Sequence, residues 1–136
     1  MRTMLTVALV LGLAGGLAAQ DMGAAAPAAQ SAVTVEAVLA RSVLDRAPQD
    51  TGVAFAADVG GVVLWTRVTG GTGQMLNHVW FYGDTEVGNV PLTIGGSPWR
   101  TWSRKTIPME ATGAWHVEIR DAAGTVLKRI DFTVGQ

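Results

Sequence analysis

Hydrophobic and polar positions divide the chain into two textures. Met4 to Leu17 is an almost unbroken apolar run behind the short positive stretch Met1-Arg2-Thr3. From Val33 onward, apolar and β-branched segments recur at roughly strand-and-turn spacing, parted by Gly, Pro, Asp and Asn. Seven segments stand out: Val33 to about Ala40, Val62–Val68, Leu76–Tyr82, Glu86–Ile94, Trp99–Ile107, Gly113–Arg120 and Thr125–Val134. Helical periodicity nowhere persists beyond two turns. This spacing predicts an all-β antiparallel sandwich, with an immunoglobulin-like closure as the simplest form and a small β-barrel as the alternative. The connection Asp45-Arg46-Ala47-Pro48-Gln49-Asp50 is polar and has room for one helical turn.

Successive side chains on a strand point to opposite sides, so alternation assigns faces. In Gly113–Arg120, Trp115, Val117 and Ile119 form the inward set, and Ala114, His116, Glu118 and Arg120 the solvent set. In the last strand Val126, Ile130, Phe132 and Val134 point inward. Between Trp99 and Lys105 the two faces read Trp99, Thr101, Ser103, Lys105 and Arg100, Trp102, Arg104.

The N-terminus changes the picture of where the domain works. A positive n-region, an apolar run interrupted by Gly12, Gly15 and Gly16, and small residues at Ala18-Ala19 form the pattern of a cleavable signal peptide. A spanning helix needs about 20 apolar residues, and this run is shorter. The expected organisation is a signal peptide over 1–19, an Ala-rich disordered spacer over 20–32, and a β-sandwich over 33–136, exported to the periplasm or beyond with no transmembrane anchor in the mature form. The absence of cysteine excludes a disulfide framework and thiol chemistry, leaving the hydrophobic core to stabilise the fold. A formal net charge of −1 gives no basic face for nucleic acid.

Four motifs then come in order: His78-Val79-Trp80; Trp99-Arg100-Thr101-Trp102-Ser103-Arg104-Lys105; Gly113-Ala114-Trp115-His116-Val117; and Gly124-Thr125-Val126-Leu127 running to Phe132-Thr133-Val134. Together they resemble the bacterial domain-of-unknown-function family numbered twenty-nine fourteen, whose pattern reads H-x-W, W-R-T-x-S-x-K, G-x-W-x-V and F-x-V after a D-R-x-P element like Asp45-Arg46-Ala47-Pro48. The resemblance spans Val35 to Val134. It implies a domain of secreted or membrane-attached bacterial proteins, with no established activity. Ala47 stands where the family often has Glu.

The candidate chemistry is sparse. His78 and His116 lie on separate strands without H-x-H or E-x-x-H partners, so no metal site is expected. Thr69-Gly70-Gly71-Thr72-Gly73 lacks the lysine of a phosphate-binding loop and reads as a hairpin turn. No serine carries a nucleophile signature, and no catalytic residue or cofactor is assigned. The informative segment is Trp99–Lys105. An Arg-Trp-Arg stripe on an outward face offers an aromatic platform and two guanidinium forks. The expected binding residues are Arg100, Trp102 and Arg104, with His78 and Lys105 beside them. The competing reading has Trp99, Trp80 and Trp115 in the core while Arg100 and Lys105 pair with surface acids. The expected function is a non-catalytic interaction module for a protein, glycan or envelope component. A self-associating structural domain is the alternative, and an enzyme with an unrecognised site the least favoured.

Overall fold

A computed structural model describes residues 33–135. The segments expected to be a signal peptide (1–19) and a spacer (20–32) lie outside the described residues. Ten strands follow in order: β1 (Thr34–Ala40), β2 (Ser42–Leu44), β3 (Ala47–Gln49), β4 (Ala54–Phe55), β5 (Gly61–Thr69), β6 (Met75–Tyr82), β7 (Thr85–Thr93), β8 (Trp99–Thr106), β9 (Gly113–Asp121) and β10 (Val126–Val134). No helix long and apolar enough to cross a membrane occurs among the described residues. The long strands β1 and β5 to β10 correspond to the seven hydrophobic segments of the sequence.

Three strands in the order β1-β5-β8 make one sheet, and five in the order β4-β10-β9-β6-β7 make the other. All long strands pair antiparallel, and neither sheet closes into a barrel, so the architecture is the sandwich. Its core interleaves Leu39, Val62, Leu64 and Val68 from the smaller sheet with Leu76, Trp80, Trp115, Val117, Ile119, Phe132 and Val134 from the larger. Phe132 is the aromatic hub: Trp80 meets it edge-on with centroids 6.3 Å apart, Phe55 edge-on at 6.0 Å, and Trp115 stacked at 5.9 Å. Trp80 and Trp115 are thus core residues, at 0% and 3% exposure.

The turns follow their residues. Asp121 closes the β9–β10 hairpin by accepting hydrogen bonds from the amides of Ala123 (3.0 Å) and Thr125 (2.9 Å), and Gly124 takes the positive φ of 90°. The connection expected to hold a helical turn is instead the β2–β3 hairpin, with Val43 opposite Pro48. Asp45 and Arg46 form its two-residue loop at φ 53° and 65°. Positive φ at both central residues matches the right-handed twist of a hairpin. The loop lacks the Asn-Gly that would mark such a hairpin in the sequence.

Alternation predicted the faces of β9 but not their burial. His116 and Glu118, assigned to solvent, are 8% and 9% exposed. They lie on the outer face of a strand central to its sheet, and neighbouring side chains cover them. Phe81, the cross-strand partner of His116, stacks on its ring at 4.4 Å. Arg120 folds over the same phenyl ring and donates through Nε to Glu118 Oε1 at 2.7 Å.

Candidate binding groove

The outer face of the three-stranded sheet is ordered in rungs by strand register. One rung reads Val38, Trp65, Trp102 across β1, β5 and β8; the next reads Glu36, Arg67, Arg100. Adjacent rungs on one face are two residues apart, about 6.8 Å along the strand. An indole pair therefore adjoins a guanidinium pair. In the rung on the other side, Ala40 and Val63 are buried, and the β2–β3 hairpin packs against both of their strands. The Trp65 indole Nε1–H donates to the Arg46 carbonyl at 2.9 Å, tying the hairpin loop to the sheet. A positive φ at a residue with a side chain costs on the order of 1 kcal/mol and persists only where its surroundings fix it. At Arg46 that fixing contact is the Trp65 hydrogen bond.

Hairpin, sheet face and the turn before β8 enclose a groove of about 660 Å³. Its lining is Arg46, Ala47, Pro48, Trp65, Arg67, Pro98, Trp99, Arg100 and Trp102. No carboxylate contributes. Trp99 stands at one end over Gly95 and Gly96; a Cβ on Gly95 would lie 2.7 Å from its ring, so the close approach requires glycine there. At 38% exposure Trp99 is not the core residue that the competing reading expected. The Gly70 amide donates to Ser97 Oγ at 2.6 Å and anchors the same turn.

Of the residues expected to bind, the structure brings Arg100 and Trp102 together in this groove. Arg104 shares their face by alternation, but its guanidinium lies flat along Gly61 at the far end of the strand and does not line the groove. His78 and Lys105 are corrections. His78 points into the sandwich at 1% exposure, where its Nδ1 and Ser103 Oγ are hydrogen-bonded at 2.7 Å across the two sheets. Burial pushes its imidazole from 6.5 down to about 4, so at neutral pH the ring is uncharged. Lys105 shares the inner face with Ser103. Its ammonium donates to the Val87 carbonyl at 2.8 Å, across the open side of the sandwich, and its stem runs over Gly88. A ligand on the outer face reaches neither side chain. Trp65, Arg67 and Arg46 were missed. Trp65 and Arg67 sit in a segment that reads as a plain apolar strand, and only the register of β5 against β8 reveals their rungs. Arg46 sits in a segment that reads as a loop and comes to the site through the β2–β3 hairpin.

Arg67 and Arg100 are directly opposed like charges, an arrangement that destabilises a sheet. Arg67 has one acidic neighbour, Glu36 at 3.7 Å, and both side chains are largely exposed, which makes the pair weak. Among the described residues Arg46, Arg100 and Arg104 have no ion-pair partner. No group of three or more His, Cys, Asp or Glu placed to hold a metal occurs among the described residues.

The class this defines is an all-β sandwich with an aromatic, arginine-lined groove. A family model described as "Protein of unknown function (DUF2914)" matches residues 73–134. The match takes in β6 to β10, a narrower span than the motif resemblance, and leaves β1 to β5 outside. One wall of the groove, Pro98 to Trp102, therefore falls within the matched segment, while Arg46 to Pro48, Trp65 and Arg67 fall beyond it. No curated protein matches the chain. Among solved structures, the crystal structure of an engineered protein is similar at 18% identity and a TM-score of 0.42, over 75% of this chain and 19% of that one. The chain thus spans about a fifth of that protein's length.

Proposed function

We propose that the protein is an exported, non-catalytic binding module whose ligand lies in the groove over β5 and β8. The observation that carries this reading is the convergence of Trp65, Trp99 and Trp102 in one concavity with three arginines. A soluble domain does not gain stability by leaving indole faces in an open cleft beside opposed guanidinium groups. Tryptophan and arginine are the side chains most often found at energetic hot spots, and a cleft of this volume is of ligand-binding size. The test is retention of envelope extract on the immobilised chain and on its Trp102→Ala variant. Material bound by the parent and lost by a variant of unchanged melting temperature supports the groove. Equal retention by both overturns it. Export is tested by the mass of the mature chain, expected to begin at or near Gln20; an intact Met1 on a membrane-retained chain overturns it.

A further inference from the structure

Building on that groove, we infer that its ligand is an acidic oligosaccharide, held by stacking of sugar rings on Trp65 and Trp102 and by carboxylate contacts to Arg67 and Arg100. Charge complementarity carries the assignment. Three arginines and no acid line the groove, in a chain whose net charge is −1. Arg67 and Arg100 are cross-strand partners in one rung, and no carboxylate is among the residues that line the groove beside them. A ligand anion placed there relieves the repulsion, and the planar forks are built to hold a carboxylate bidentately.

The neighbouring rung selects the rest of the ligand. Trp65 and Trp102 are direct cross-strand partners that both line the groove, one rung (about 6.8 Å along the strand) from Arg67 and Arg100. A pyranose ring has an apolar face to lay on an indole, hydroxyl groups around its rim, and, in a uronate, a carboxylate at its edge. Trp99, Pro98 and, on the hairpin wall, Pro48 bound the slot. A protein partner needs about 800 Å² of matching surface per side, whereas this site is a bounded concavity. A nucleic-acid strand draws on a basic field much wider than the groove.

The test uses tetragalacturonate, its fully methyl-esterified form and a single-stranded oligo-dT, each titrated into the intact chain by calorimetry. The acid form is expected to bind at least tenfold more tightly than the ester, which has the same rings with the charge masked. The double variant Arg67→Gln/Arg100→Gln should abolish that preference, and Arg129→Gln, on the other sheet, should leave it unchanged. Equal affinity for acid and ester, lost in Trp102→Ala, overturns the acidic ligand and keeps the groove. Binding of either sugar that Trp102→Ala does not weaken overturns both. No binding of either sugar, or tighter binding of oligo-dT, overturns the glycan assignment.

Discussion

The two faces of β8 carry the same kinds of side chain to opposite ends. Inward, Ser103 and Lys105 spend their polar atoms on the protein itself: Ser103 on His78 across the sandwich, Lys105 on the Val87 carbonyl. Outward, Arg100 and Trp102 make no ion pair and no side-chain hydrogen bond among the described residues, and Trp102 is 37% exposed. A polar group in the interior costs free energy unless it is satisfied, so the inner face is under structural constraint. The Arg100 and Trp102 side chains on the outer face are under no such constraint. The motif W-R-T-x-S-x-K therefore mixes two roles: its Ser and Lys side chains bond within the protein, and its Arg alone among the charged positions lines the groove, together with Trp99.

The largest effects are expected where the inner face is broken. Trp115→Ala removes a side chain stacked on Phe132 and the indole donor to the Ala111 carbonyl (2.9 Å). Trp80→Ala empties the fully buried site beside the same ring. Each should cost about 3–5 kcal/mol, read by chemical denaturation. Trp80 should be the milder of the two, because its Nε1 is buried without a hydrogen-bond partner and part of its burial is already offset. Melting of either variant within a degree or two of the parent would contradict the face assignment.

Next in size is the response to acid. The folded His78 titrates near 4 and the unfolded one near 6.5. The unfolded chain therefore binds the proton first as pH falls, and the native state loses stability from about pH 6.5 downward. The loss levels off below about pH 4 at roughly 3 kcal/mol for this group. Stability is fully retained above the unfolded value. His78→Gln should lower stability at pH 7 and flatten the decline between pH 6.5 and 4, measured as urea midpoints across that window. An unchanged slope would show that His78 is not the titrating group.

These inner-face roles were partly legible in the sequence. Period-two alternation in Trp115, Val117 and Ile119 and in Ile130, Phe132 and Val134 located the core, because the sheets bury one side of each strand. Val126, assigned inward by the same alternation, is instead 46% exposed, beyond a register shift between Val126 and Lys128. The burial of His116 and Glu118 was not legible, since it depends on Phe81 and Arg120 covering the outer face of a strand that only the topology makes central. The groove was half legible for the same reason. Arg100 and Trp102 stand out in their own strand, whereas Trp65 and Arg67 become site residues only through their register against it. His78 was placed with the stripe because sequence motifs carry no information on which side of a sheet a residue faces when the strand is apolar on both.

On the outer face, Trp102→Ala should change stability by less than about 1 kcal/mol, since the ring is more than a third exposed. It should nonetheless remove most groove binding. A loss comparable to Trp115→Ala would move Trp102 into the structural class and erase the contrast between the faces.

The smallest effect is the most discriminating because its sign is inverted. Arg100→Gln removes one of two guanidinium groups opposed across β5 and β8 and breaks no ion pair among the described residues. Like charges directly opposite destabilise a pair of strands by a fraction of a kcal/mol, so the variant should be more stable than the parent by a few tenths. Both groups are exposed, and salt screens such repulsion over about 10 Å at 0.1 M ionic strength. The gain should therefore shrink as salt rises from 10 mM to 0.5 M, with thermal melts of both proteins compared at each concentration. Inner-face substitutions at His78 or Ser103 have no such dependence, because they break a buried contact that salt does not reach. A stabilised Arg100→Gln that has also lost its anionic ligand would show that the rung is maintained against folding stability. A destabilised variant with a salt-independent deficit would mean that Arg100 supports the sheet, and the division between the two faces of β8 would fail at its central residue.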